Sequence, residues 1–205
     1  MKKVILTGFK PLFGRPSPTE YILCCFKSCI IIPQTEIVIL ILPNTYLGAF
    51  KILSDAIDKE KPDAIVSLGL YENAEEIEIE TFFRNFMKDE LPDASGYFPD
   101  GIKINSEQNA QEFLAPQVNT YFFANKLCQE NIPVKPSANK YTSVSNSLGY
   151  RTTKKILDDH LPIRNMFIYI PWIDNYKNQV DGSSKLFLKK DDVIKAIKLM
   201  VLNIC

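Results

Sequence analysis

Hydrophobic positions along the chain fall into short blocks separated by turn residues, and the period inside each block predicts its element. Val4-Ile5-Leu6-Thr7-Gly8 has strand composition, and Pro18-Thr19-Glu20 opens a helix that should run to about Cys29. Glu36 to Leu42 reads as a second strand closed by Pro43-Asn44. Asn44 or Thr45 then caps a helix that turns Leu47, Phe50, Leu53 and Ile57 inward and ends in Asp58-Lys59-Glu60-Lys61. Ala64 to Leu70 is nearly continuous apolar sequence, the pattern of a strand covered on both faces. The order strand, helix, strand, helix, strand predicts an α/β layered sheet with helices on both sides.

Ile77 to Phe82 alternates apolar and polar residues, which places Glu78 and Glu80 on one side of a strand, with Glu78 expected on a solvated face. Residues 93–116 are rich in Gly, Pro, Asn, Asp and Ser and read as a long irregular loop. A helix is predicted over Asn119 to Gln129, with Tyr121, Phe122 and Leu127 available for packing, and a buried strand over Met166 to Trp172. Asp191 or Asp192 should cap the last helix, whose stripe is Ile194, Ile197, Val201 and Ile204.

The junction between Lys140 and Tyr150 organises these elements. An alternating run ends at Val144, Ser145 or Asn146 can cap a helix, and Leu148, Thr152 and Ile156 follow on one face. A side chain there sits over the positive end of a helix dipole, near backbone N–H groups without partners inside the helix. That seat suits a nucleophile, and it is also how any α/β crossover begins.

Composition narrows the function. With 205 residues, 46% of them hydrophobic, the chain can bury one sizeable core, and no stretch reads as a linker, so one domain over 1–205 is expected. Lys and Arg balance Asp and Glu at 24 each, which argues against a nucleic-acid partner and for a small molecule or peptide. The apolar run Tyr21 to Ile32 is broken by Lys27 and ends at Pro33, short of a membrane span, and the first residues do not form a signal-peptide core. A soluble, cytoplasmic protein is expected.

Cys24, Cys25 and Cys29 lack the paired spacing of a zinc site and read as buried, reduced thiols; no metal and no cofactor is expected. Ser137 to Lys140 matches a bare Ser-x-x-Lys pattern, but Pro136 precedes it and no helix starts there, so the match is discounted.

Several segments, in order, resemble the pyroglutamyl peptidases, cysteine peptidases that remove an N-terminal pyroglutamate. Thr7-Gly8-Phe9-Lys10-Pro11-Leu12-Phe13-Gly14 resembles the family's opening loop, and Lys61-Pro62-Asp63 to Leu70 its central strand. Ile79-Glu80 to Asp93 resembles the glutamate segment, Ile132 to Asn146 the nucleophile segment, and Phe167 to Trp172 the histidine strand. The expected fold is then a single-domain three-layer α/β/α sandwich around a mostly parallel mixed sheet.

The resemblance implies a site with three catalytic positions. The carboxylate falls on Glu80, which is present, but the cysteine position falls on Ser145 and the histidine position on Tyr169. No cysteine lies between Cys128 and Cys205, and the only histidine, His160, stands fifteen residues beyond Ser145, about 22 Å along a helix. A hydroxyl needs a base beside it, and neutral tyrosine, with a pKa of about 10, is a poor one. The expectation is a catalytically inactive homologue with a residual binding or assembly role; the alternative is a divergent hydrolase using Ser145 with Glu80.

By the same resemblance Phe9 and Phe13 would hold the pyroglutamyl ring, Leu12 is a substitution or an insertion in that loop, and Thr81 stands where an arginine usually follows the glutamate. The implied ligand is an N-terminal pyroglutamyl peptide or a similar small molecule. A homo-oligomer, supported by the Tyr21 to Ile32 segment, is a further expectation.

Overall fold

The computed structural model describes residues 1–137, 142–180 and 186–205. Its main sheet holds six strands: β1 (Lys2–Phe9), β2 (Thr35–Leu42), β3 (Ala64–Leu70), β4 (Ile77–Glu80), β9 (Val134–Ser137) and β10 (Arg164–Ile170). Four two- or three-residue strands lie between β4 and β9: β5 (Phe83–Arg84), β6 (Met87–Lys88), β7 (Asp100–Ile102) and β8 (Phe113–Leu114). The helices are α1 (Pro18–Cys29), α2 (Gly48–Glu60), α3 (Thr120–Gln129), α4 (Val144–Asp158) and α5 (Lys190–Ile204).

The strand order is β2-β1-β3-β10-β4-β9, with every neighbouring pair parallel except β10 and β4. The result is the mostly parallel mixed sheet expected of this element order. Alternation along the strands sends Val4, Leu6, Val66 and Ile168 to one core with α1, α3 and α5, and Ile5, Ile65 and Phe167 to another with α2 and α4. Two faces of one sheet are thus each covered by helices, which makes three layers.

Several local expectations change. The 93–116 stretch is not wholly irregular, because β7 pairs with β6 and β8 with β5 in two small ribbons. Helix α2 begins at Gly48 after Leu47, and α5 at Lys190 after Lys189, and in neither does the cap residue's own side chain bond the helix end; at α5 the Lys190 N–H donates to Asp174 Oδ1 at 3.0 Å instead. On α3, Leu127 packs inward as expected, together with Phe123 and Ala124, whereas Tyr121 and Phe122 point outward. All five cysteines are free; of the three expected to be buried, Cys24 and Cys29 are exposed and Cys25 is half-buried, because α1 buries the face of Ile22, Leu23 and Phe26 instead.

Candidate functional site

In doubly wound sheets, ligands collect beyond the carboxyl ends of parallel strands, where the strand order reverses. Here a cleft of about 530 Å³ occupies that position. Its walls follow β1 (Phe9, Lys10, Leu12, Phe13, Arg15), β2 (Asn44), β3 (Leu70, Glu72) and β10 (Trp172), and Ser145 contributes from the amino end of α4.

The loop after β1 is held by the first turn of α1. Ser17 caps that helix by accepting from the Glu20 N–H at 3.2 Å, and its hydroxyl donates to the Phe9 carbonyl. Thr19 Oγ1 accepts from the Phe9 N–H at 3.0 Å. Between them the chain reverses at Leu12–Arg15, where the Arg15 N–H donates to the Leu12 carbonyl at 2.9 Å and Phe13 and Gly14 both have positive φ, 49° and 75°. Phe9 is buried and Phe13 stands at the tip, 61% exposed, yet both border the cleft. Arg15 reaches across to Glu72, Nη1 to Oε1 at 2.9 Å, and ties this turn to the segment after β3.

The α4 end differs from the expected junction. Residues 138–141, which include Lys140 of the Ser-x-x-Lys match and Tyr141, lie outside the described residues. The helix begins at Val144 with Ser143 as its cap, so Ser145 is already helical and its hydroxyl is directed to Tyr169 rather than to its own backbone. Asn146, the other candidate cap, is buried and serves a different purpose. Its Oδ1 accepts from the Arg84 N–H at 2.8 Å, and its Nδ2 donates to the carbonyls of Arg84 and Phe86 at 2.9 and 3.0 Å. Leu148, Thr152 and Ile156 are buried as their spacing predicts.

Ser145, Tyr169 and Glu80 converge behind the cleft. Tyr169 is 3% exposed and hydrogen-bonded to the Ser145 side chain. Burial pushes its hydroxyl well above the ordinary tyrosine range, and the nearby Glu80 carboxylate pushes the same way, while the Ser145 hydrogen bond opposes both. Gly69 makes room for the ring: a Cβ there would stand 2.9 Å from Cδ1 and Cε1 of Tyr169 and from Cε1 of Phe167.

Glu78 and Glu80 do share a face, but that face is covered. Glu78 is 5% exposed, accepts from Ser137 Oγ at 2.8 Å and pairs with Lys135 Nζ at 3.3 Å, which corrects its expected solvated position. The cover comes from β9, whose Lys135 and Ser137 side chains engage the Glu78 carboxylate. Thr81 turns back to β9, donating from Oγ1 to the Ser137 carbonyl at 2.8 Å. His160 lies just past the end of α4 and is exposed. Among the described residues no group of three or more His, Cys, Asp or Glu is placed to hold a metal ion, and no helix is long and apolar enough to cross a membrane.

Asn146, Ser137, Asn44, Arg15 and Glu72 are not singled out as site residues by sequence reasoning. Their partners are far away in sequence, and no local spacing signals them.

Fold and cleft together define an α/β protein with its site at the carboxyl ends of the central strands. A family model described as pyroglutamyl peptidase matches residues 2–204, and the chain belongs to that family. It is 31% identical to the pyrrolidone-carboxylate peptidase of Oceanobacillus iheyensis over 204 residues, covering 98% of each chain. It is 28% identical to that of Bacillus velezensis over 198 residues, 97% of this chain and 90% of that one. Among solved structures, pyroglutamyl peptidase I of Bacillus amyloliquefaciens superposes with a TM-score of 0.89 at 27% identity, covering 100% of this chain and 97% of that one. The pyrrolidone carboxyl peptidase of Thermococcus litoralis gives the same TM-score and identity, with 98% and 92% covered.

Proposed function

We propose that this chain has lost peptidase chemistry and keeps the cleft as a binding site for an N-terminal pyroglutamyl peptide or a similar small ligand. The observation that carries this reading is the partner of Ser145. A serine hydroxyl becomes a nucleophile only when a neighbouring base takes its proton. The side chain bonded to it is a buried tyrosine whose own pKa is pushed upward, so that group stays neutral across the physiological range and cannot accept a second proton. Glu80, at the position that the resemblance gives to the orienting carboxylate, then faces a neutral phenol.

The test is release of a fluorophore from a pyroglutamyl amide by the wild-type protein and by Ser145→Ala. No turnover from either, together with a rise in melting temperature on adding pyroglutamyl compounds, is the expected result. Turnover that disappears in Ser145→Ala would overturn the reading and establish a hydrolase using Ser145, with Glu80 as the first candidate base.

Two further parts of the proposal concern setting and assembly. Five free cysteines suit a reducing cytoplasm. Edge strand β2 is half-exposed along its apolar run beside Ile31, which is 90% exposed at the end of α1, and this edge supports a homo-oligomer. Sedimentation that gives a monomer at all concentrations would remove the assembly role.

A further inference from the structure

We infer that the cleft selects ligands carrying a carboxylate beyond the pyroglutamyl ring, a specificity that rests on the binding role proposed above. Among the described residues, the charged side chains in its lining are Lys10, Arg15 and Glu72. Glu72 engages one nitrogen of the Arg15 guanidinium and so offsets that charge. Lys10 is exposed, and among the described residues no carboxylate lies within ion-pair distance of it. Among the described lining residues, positive side chains therefore outnumber negative ones by one.

The remaining polar groups are arranged compatibly. Asn44 Nδ2 donates to the Lys10 carbonyl at 2.5 Å and fixes the backbone that carries the lysine. Ser145 adds a hydroxyl on the wall where α4 begins, and the amino end of that fifteen-residue helix contributes to the same positive potential. Phe9, Leu70 and Trp172 supply apolar surface for the body of a ligand. An apolar wall with a few convergent polar groups and one uncompensated cation at the rim fits a short acyl peptide with an acidic residue next to its blocked N-terminus.

The probes are pyroglutamyl-glutamic acid and its isostere pyroglutamyl-glutamine amide, which differ only in exchanging carboxylates for carboxamides. Calorimetric titration of the full chain at low salt and at about 0.5 M NaCl, where charges are screened within a few ångströms, reads the preference directly. The acid should bind about three- to five-fold tighter, the range expected for a rim ion pair, and salt should erase the difference. Lys10→Gln should abolish the preference, whereas Glu72→Gln, which removes the opposing carboxylate, should increase it. Both positions are on surface loops, and circular dichroism melts verify that each variant is folded.

Equal affinities for the two probes in the wild-type protein would overturn the inference while leaving the binding role intact. So would a preference indifferent to Lys10→Gln and to salt. If neither probe binds at millimolar concentration, the binding role and this specificity fall together.

Discussion

Asp93 anchors one flank of the cleft, and its removal gives a prediction whose size follows from the geometry. The carboxylate is 5% exposed and accepts four hydrogen bonds: Oδ1 from the Ser95 N–H at 2.8 Å, the Ser95 hydroxyl at 2.6 Å and the Tyr97 N–H at 3.0 Å, and Oδ2 from the Tyr46 N–H at 3.0 Å. The turn it forms lets Tyr97 stack edge-on against Tyr46, with ring centroids 5.9 Å apart, and the Ala94 N–H donates to the carbonyl of Asn44, a cleft residue, at 2.8 Å. In Asp93→Ala the exposed donors of Ser95 and Tyr97 turn to water, but the N–H of buried Tyr46 cannot. An orphaned buried donor costs about 1–3 kcal/mol, and lost bonds to a charged acceptor add about 1 kcal/mol, so the expected loss is about 3 kcal/mol. For a chain of this length that is a fall in melting temperature of about 6–12 °C. Asp93→Asn keeps an oxygen for Ser95 and Tyr97 but sets an amide against Tyr46, still orphaning that N–H, and should lose about 2 kcal/mol.

The pH dependence gives an independent check. Burial raises the Asp93 pKa, but the hydrogen bonds from Ser95, Tyr46 and Tyr97 outweigh it and hold the carboxyl below its ordinary value. A folded-state pKa below the unfolded one means that the contribution is fully present above about pH 4 and is lost as pH falls through the lowered folded value. The gap between wild type and Asp93→Asn, measured by urea unfolding, should be constant from about pH 5 to 8 and close in more acidic solution. A gap under about 0.5 kcal/mol at neutral pH, or one that does not narrow as the solution is acidified, would refute the anchor.

Other perturbations have equally definite outcomes. Gly69→Ala drives a methyl to within 2.9 Å of Phe167 and Tyr169 in the middle of the sheet, and overpacking of this kind should cost about 1–3 kcal/mol; an unchanged urea midpoint would contradict the packing described for Tyr169. Ser17→Ala removes the α1 cap and the link to Phe9, with an expected loss of about 1 kcal/mol by thermal melting. Ser145→Cys combined with Tyr169→His should produce thiol-reagent-sensitive hydrolysis of a pyroglutamyl amide. Persistent inactivity in a well-folded double variant would count against simple decay of the three catalytic positions.

The parts of the fold legible in the sequence are those whose burial is dictated locally. The run Ala64 to Leu70 is apolar but for Ser67 because helices cover both faces of β3, and the strand has the bounds the pattern implies. Helix starts are less legible, since Leu47 and Lys189 begin α2 and α5 without using the polar caps nearby. Glu78 escapes sequence reasoning for a different reason. Alternation fixes which residues share a strand face, but whether that face meets solvent depends on Lys135 and Ser137, more than fifty residues away. Asn146 carries the same lesson: as an isolated residue it looks like a cap, and only the return of residues 84–86 makes it a bracket.

The Ser145 and Tyr169 positions are best understood as a pair. An ionised nucleophile and its charged partner at this depth would each carry a desolvation cost of several kcal/mol, offset only by mutual attraction and surrounding dipoles. Two neutral hydroxyls bonded to each other avoid that cost, and Tyr169 adds an aromatic ring that packs at 5.0 Å from Phe167 over the space left by Gly69. Either half of the double variant alone therefore has a physical penalty. Tyr169→His on its own gives up the phenol's ring contact and leaves the imidazole beside a serine, while Ser145→Cys on its own sets a thiol beside a tyrosine that cannot serve as its base. On the reading proposed above, reactivity has been exchanged for neutrality at both positions together. That coupling predicts non-additive stability in the double-mutant cycle.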